Sequence, residues 1–153
     1  MALIIENGTG VDGADSYATI AEYIAFVQDY FGTTVAADDP AIRRGFYYMQ
    51  GLIWKSGTYP LFGGVIPVAV KRAQILFARA EQQSAGVLSP QVTSGSQKVL
   101  TGVDSLKWQI IGDDPSVEAA RPIVTSAFDF LRPYLDYDPA RDRSIGFTGA
   151  TIV

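Results

Sequence analysis

The chain has 153 residues, 48% of them apolar and 18% charged, a length that suits one domain burying about 70% of its unfolded surface. It contains no cysteine and no histidine, which excludes disulfides, thiolate chemistry and cysteine-ligated zinc and removes the commonest general base and metal ligand. A net charge of −4 disfavours phosphate binding over the whole surface, and no apolar run approaches the about 20 residues that span a bilayer.

The opening Met1-Ala2-Leu3-Ile4-Ile5-Glu6 lacks a basic leader and is too short for a signal peptide, and Ala2 to Glu6 reads as a short strand. Gly8, Gly10 and Gly13 then make a turn-rich segment. Thr19-Ile20-Ala21-Glu22 fits a capping box, so a first helix is expected from Thr19 to Gly32, burying Ile20, Ile24, Val27 and Phe31, widened by Tyr23 and Tyr30. Asp39-Pro40 gives an N-cap and N1 proline for a second helix with Ile42, Phe46, Met49, Leu52 and Ile53 inward; Gly45 and Gly51 weaken it. A third helix is expected from Ile66-Pro67 to about Ala85, with Gly86 beyond its end and Val70, Ala73, Leu76, Phe77 and Ala80 as its core stripe. Strands are expected at 97–103 and 106–111 around Asp104-Ser105, a helical turn at Asp114-Pro115, and a last helix from Pro122 to Arg132. The expected fold class is therefore mainly α: a small helical bundle of about four helices with a β-hairpin and extended N- and C-terminal arms. One domain would span 1–135, with an arm at 1–18 and the hairpin region at 89–112, and 136–153 would form a tail.

No constellation favours catalysis. Gly8-Thr9-Gly10-Val11-Asp12-Gly13 is a literal G-x-G-x-x-G, but its aspartate would face phosphate and no helix follows directly. Asp38-Asp39 and Asp113-Asp114 precede prolines, where capping accounts for them. Asp136, Asp138 and Asp142 echo a calcium loop without its glycine or closing glutamate, and Lys55-Ser56 is a dyad in sequence only. No catalytic residue, metal or cofactor is expected.

Charge sorting points instead to contact between copies. Residues 1–40 hold seven acids and no base; 41–112 hold eight bases against Glu81 and Asp104; the remainder holds seven acids and four bases. Intramolecular neutralisation explains this; so does a subunit with acidic and basic flanks that meets its own kind head to tail. On the third helix Lys71, Arg72 and Arg79 surround Ile75, the pattern of an interface centre or of a single exposed apolar residue. Tyr47 and Trp54, beside Arg43, fit a packed helix face, a protein interface or a base-stacking surface. Lys71, Arg72, Ile75, Arg79, Arg43, Tyr47 and Trp54 are the candidate subunit-interface residues.

Several segments together resemble the small head–tail connector, or head-completion, proteins of tailed bacteriophages. They are Ala2-Leu3-Ile4-Ile5-Glu6-Asn7-Gly8-Thr9-Gly10, Ser16-Tyr17, Trp54-Lys55, Ile66-Pro67 with Ala69-Val70-Lys71-Arg72-Ala73, and Leu131-Arg132-Pro133-Tyr134-Leu135. Their order and spacing over 1–135 carry the resemblance. Such sequences are sometimes labelled DnaT-like single-stranded-DNA-binding proteins, which is the alternative function. The resemblance implies a virion protein, made in the host bacterial cytoplasm, that forms a ring, commonly twelvefold, between portal and tail. Its implied partners are further copies of itself, the portal protein and tail or stopper proteins, with double-stranded DNA passing through the lumen and no membrane. The basic third-helix face would then meet an acidic flank of the next copy.

Overall fold

The helix expected to be longest is the axis of the fold. The structure, a computed structural model, describes residues 2–89, 98–100, 108–110 and 124–137. Among these, an N-terminal arm leads to α1 (Ile20–Phe31), α2 (Asp39–Gln50), a 3-10 turn (Phe62–Gly64) and α3 (Val68–Gln83). There follow β1 (Lys98–Leu100), β2 (Trp108–Ile110), α4 (Thr125–Leu131) and a second 3-10 turn (Arg132–Tyr134). The class is mainly helical, and α1, α2 and α4 all pack on α3.

Local signals set the helix starts. Thr19 caps α1 through a complete capping box, its hydroxyl accepting from Glu22 N at 3.2 Å while the Glu22 carboxylate accepts from Thr19 N at 2.7 Å. Gly32 ends α1 at φ 65°, a left-handed value. For α2 the cap is Asp38, one residue earlier than expected, accepting from Ala41 N at 3.0 Å. α3 ends at Gln83 with Ser84 as its cap, short of the expected Ala85.

The core has two compartments that share α3. One joins Phe46 and Met49 of α2, Val70 and Phe77 of α3, and Phe128 and Leu131 of α4, with Tyr17 from the arm. The other lies under α1, where Tyr23 and Val27 meet Ile42, Ile75 and Ala78. Gly45 makes the α2–α3 approach possible, since a Cβ there would sit 3.0 Å from Ala78 N and Gln74 O.

Several expected features are corrected. Residues 2–6 form no strand; Ile5 makes one parallel bridge to Ser16, and Asp15 N donates to Ile4 O at 2.9 Å. Tyr30 and Phe31 are exposed, because α1 turns its Tyr23–Val27 side inward. Ile53 is 59% exposed, because α2 stops at Gln50 and Ile53 falls beyond its apolar stripe. Trp54 instead makes one antiparallel bridge to Leu135, with Lys55 N donating to Tyr134 O and Asp136 N to Ile53 O. β1 and β2 pair antiparallel, with Val99 opposite Gln109. The expected turn at Asp104-Ser105, the Asp114-Pro115 turn, the start of the last helix at Pro122 and the tail from 138 onward lie outside the described residues.

Candidate interaction surface

The glycine-rich loop holds an anion, and the anion is its own. Glu6 is buried, and its carboxylate accepts from Gly8 N at 2.7 Å, Gly10 N at 3.1 Å and Val11 N at 2.8 Å. Burial works to raise its pKa, but the amides of Gly10, Gly8, Val11 and Thr9 outweigh it and hold the carboxyl below its ordinary value. With Gly8, Gly10 and Val11 N–H turned onto the Glu6 carboxylate, a phosphate there would meet a buried anion rather than open amides, which argues against the dinucleotide pattern. Gly8 also lies against Gly64, whose carbonyl oxygen would be 2.4 Å from a Cβ. Only glycine permits that approach.

Two further anchors fix the arm. Asp15 accepts from Ile4 N at 2.7 Å and from Arg43 Nε at 2.5 Å, while Arg43 also donates to Ala2 O at 2.9 Å. Gln74, fully buried on α3, accepts from Tyr17 N at 2.8 Å and Ala18 N at 3.2 Å. Its amide donates to Ser16 Oγ at 2.9 Å and Ile42 O at 3.1 Å, so every hydrogen-bonding atom of the side chain is used.

The candidate interface residues divide. Ile75 is only 3% exposed and packs beneath α1, so the expectation of an exposed apolar centre is wrong. The physical reason is that α1 covers that side of α3. Lys71 donates to Glu22 at 2.8 Å, which with Thr19 holds the Glu22 carboxyl below its ordinary value against the raising effect of burial. Arg79 donates to Gln82 at 3.0 Å, the same oxygen that accepts from the Tyr23 hydroxyl at 2.6 Å. Burial pushes the Tyr23 hydroxyl up. Arg43 faces the arm, as described. Trp54 is half-buried against the core: its ring stacks on Tyr59 at 5.0 Å and its indole N–H donates to Met49 O at 2.9 Å. Tyr47 is 54% exposed. Arg72 is exposed, its guanidinium 5.8 Å from the ring centres of both Phe26 on α1 and Phe130 on α4.

The other described basic side chains also find oxygen acceptors within the chain, at the surface. Arg44 donates to buried Glu81 at 2.7 Å, Lys55 to Pro133 O at 2.8 Å, and Arg132 pairs with Asp129. Glu81 also accepts from Gly86 N and Leu88 N, which closes the turn after α3. Arg72 is therefore the one described basic side chain that meets rings rather than an oxygen acceptor. Around it the aromatics continue, Phe26 stacking on Tyr30 at 5.2 Å and Tyr30 meeting Phe31 at 4.8 Å.

Across the molecule an open cleft of about 560 Å³ lies between the glycine loop and residues 59–61, lined by Asp12, Tyr17, Phe46, Gln50, Tyr59 and Leu61 among others. Burial raises the pKa of the Tyr17 and Tyr59 hydroxyls. Among the described residues, no three histidine, cysteine, aspartate or glutamate side chains come together to hold a metal. No helix there is long and apolar enough to cross a membrane.

Sequence reasoning missed Gln74, Glu6, Phe26 and Phe130. Only Gln74 carried a local signal, a polar side chain flanked by Ala73 and Ile75 in an apolar helix. The described part is thus a helical module in which the described basic side chains other than Arg72 have oxygen acceptors within the chain. A family model described as "Putative DnaT-like ssDNA binding protein" matches residues 1–59, which take in the arm, α1, α2 and the turn to Tyr59. No curated protein and no solved structure matches the chain.

Proposed function

We propose that the chain is a structural subunit of a tailed-phage head–tail connector, forming a ring, commonly twelvefold in the family it resembles, between portal and tail. It works by contact with copies of itself, the portal and the tail or stopper proteins, and lets double-stranded DNA pass. The observation that carries this reading is the internal use of positive charge: Arg43, Arg44, Lys55, Lys71, Arg79 and Arg132 all have oxygen acceptors within the chain. Among the described basic side chains only Arg72 lacks such an acceptor, and a surface with few free cations grips phosphates weakly, which suits a channel through which DNA slides. Purified chain imaged with and without portal tests it. A ring of density beneath the portal is the expected result; absence of any portal-bound density refutes it.

The second reading is single-stranded-DNA binding, favoured by the family match over 1–59 and by the exposed Tyr30 beside Phe26 and Arg72. Titration of a fluorescent oligonucleotide at two salt concentrations separates the two. Micromolar or tighter binding that weakens steeply with salt supports this reading over the connector.

A further inference from the structure

The geometry points to a specific contact between copies: the Arg72 aromatic patch of one copy seats on the Asp12 cleft of the next. This rests on the connector reading and names the surfaces that reading would use.

Placement comes first. Successive residues of a helix turn by about 100°, so Arg72 and Gln74 project about 200° apart on α3. Gln74 reaches Tyr17 N on the arm and Ile42 O on α2, the side on which Tyr17 and Phe46 line the cleft. Arg72 reaches the other way, to Phe26 and Phe130. Patch and cleft therefore lie on opposite sides of the central helix. A contact between two different surfaces of one subunit is heterologous, and repeated with a closing rotation it makes a ring.

Chemistry comes second. The patch carries the one described basic side chain without an oxygen acceptor, and its rim offers Tyr30 and Phe31 at 50% and 45% exposure. The cleft carries the opposite set. Asp12 is exposed and makes no ion pair among the described residues, while half-buried Tyr59 and Leu61, backed by buried Tyr17 and Phe46, supply the apolar wall. Its volume of about 560 Å³ exceeds that of an aromatic side chain. Rings entering an apolar cleft beside an arginine–aspartate pair have the make-up of an interface centre, where aromatics and arginine dominate. This replaces the Ile75-centred face expected from the sequence.

Because the natural chain has no cysteine, the test can be made without background thiols. Tyr30→Cys and Leu61→Cys are combined in one full-length chain, mixed with portal-bearing heads, and treated with a bifunctional maleimide. The expected result is a ladder of linked copies from the double variant and none from either single variant. Arg72→Glu in that background abolishes the ladder, and adding Asp12→Arg restores it. Absence of a ladder, or dimers from Tyr30→Cys alone, overturns the contact. If density beneath the portal persists without a ladder, the contact is wrong and the connector role survives. A ladder without portal binding supports the contact and refutes the role. Protection of Tyr30→Cys by an added oligonucleotide, with no ladder, overturns the contact in favour of DNA on the patch.

Discussion

Replacing Gln74 tests how the arm is fastened to the bundle. Gln74→Leu keeps the volume and loses four hydrogen bonds, but the partners do not suffer equally. Ala18 N keeps Ser16 Oγ at 3.1 Å, and Ser16 Oγ keeps its bond to Ala18 O at 2.6 Å. Ile42 O lies within α2 and keeps its helical partner. Tyr17 N alone is left buried without an acceptor, which costs about 1–3 kcal/mol, and the weakened neighbours bring the loss to about 2 kcal/mol. For a chain of this length that lowers the Tm by about 4–8 °C. Gln74→Glu is worse at neutral pH, since it buries a carboxylate facing Ile42 O with no cation beside it. Burial raises the folded-state pKa of such a carboxyl above its unfolded value, so the deficit narrows as pH falls through the raised value. The deficit of Gln74→Leu stays flat with pH. Urea unfolding of both variants across pH 4–8 checks this. A loss below about 0.5 kcal/mol for Gln74→Leu, or a pH-independent deficit for Gln74→Glu, refutes the argument.

Gly45→Val should cost about 2 kcal/mol, because backbone atoms of Ala78 and Gln74 stand only 3.0 Å from its Cβ and cannot rotate away, and the two γ-methyls add to the crowding; thermal melts read it. Glu6→Ala leaves three loop amides without their acceptor, so hydrogen exchange at Gly8, Gly10 and Val11 should speed up while α3 stays protected. In the wild type the Glu6 contribution is present above the ordinary carboxyl value and disappears as pH falls through the lowered one, visible as a fall in the loop amides' protection relative to their intrinsic exchange rate at each pH. Arg72→Glu should cost only about 1 kcal/mol, the worth of its ring contacts, and remain folded by circular dichroism.

What the sequence revealed was what neighbouring residues decide. The Thr19 box, the aspartate–proline start of α2 and the glycine after Phe31 act within a turn, and all appear in the structure, with the α2 cap shifted to Asp38. What it concealed depends on partners far along the chain. Lys71 and Arg72 look like a solvent-facing basic stripe until Glu22, 49 residues away, and Phe26 and Phe130 are placed over them. Ile75 changes from surface to core for the same reason. The glycine pattern was legible as a turn, but nothing local announced that Glu6 would fill it. The candidate site is accordingly a product of packing: Arg72 was singled out by sequence, its aromatic setting was not.

That dependence bears on the matched segment itself. Residues 1–59 contain α1 and α2, but the apolar faces of both, including Tyr23, Val27, Ile42, Phe46 and Met49, are covered by α3 and α4. Gln74 of α3 also supplies the acceptor for Tyr17 N. Two 12-residue helices without that cover are near the length at which isolated helices are marginal in water. A fragment ending at Gly64 should therefore show weak helicity and no cooperative urea transition, and should bind neither oligonucleotide nor portal. Cooperative unfolding of that fragment would mean that α3 is not the organising element. The surfaces assigned to opposite sides of α3 would then have to be sought within the first two helices.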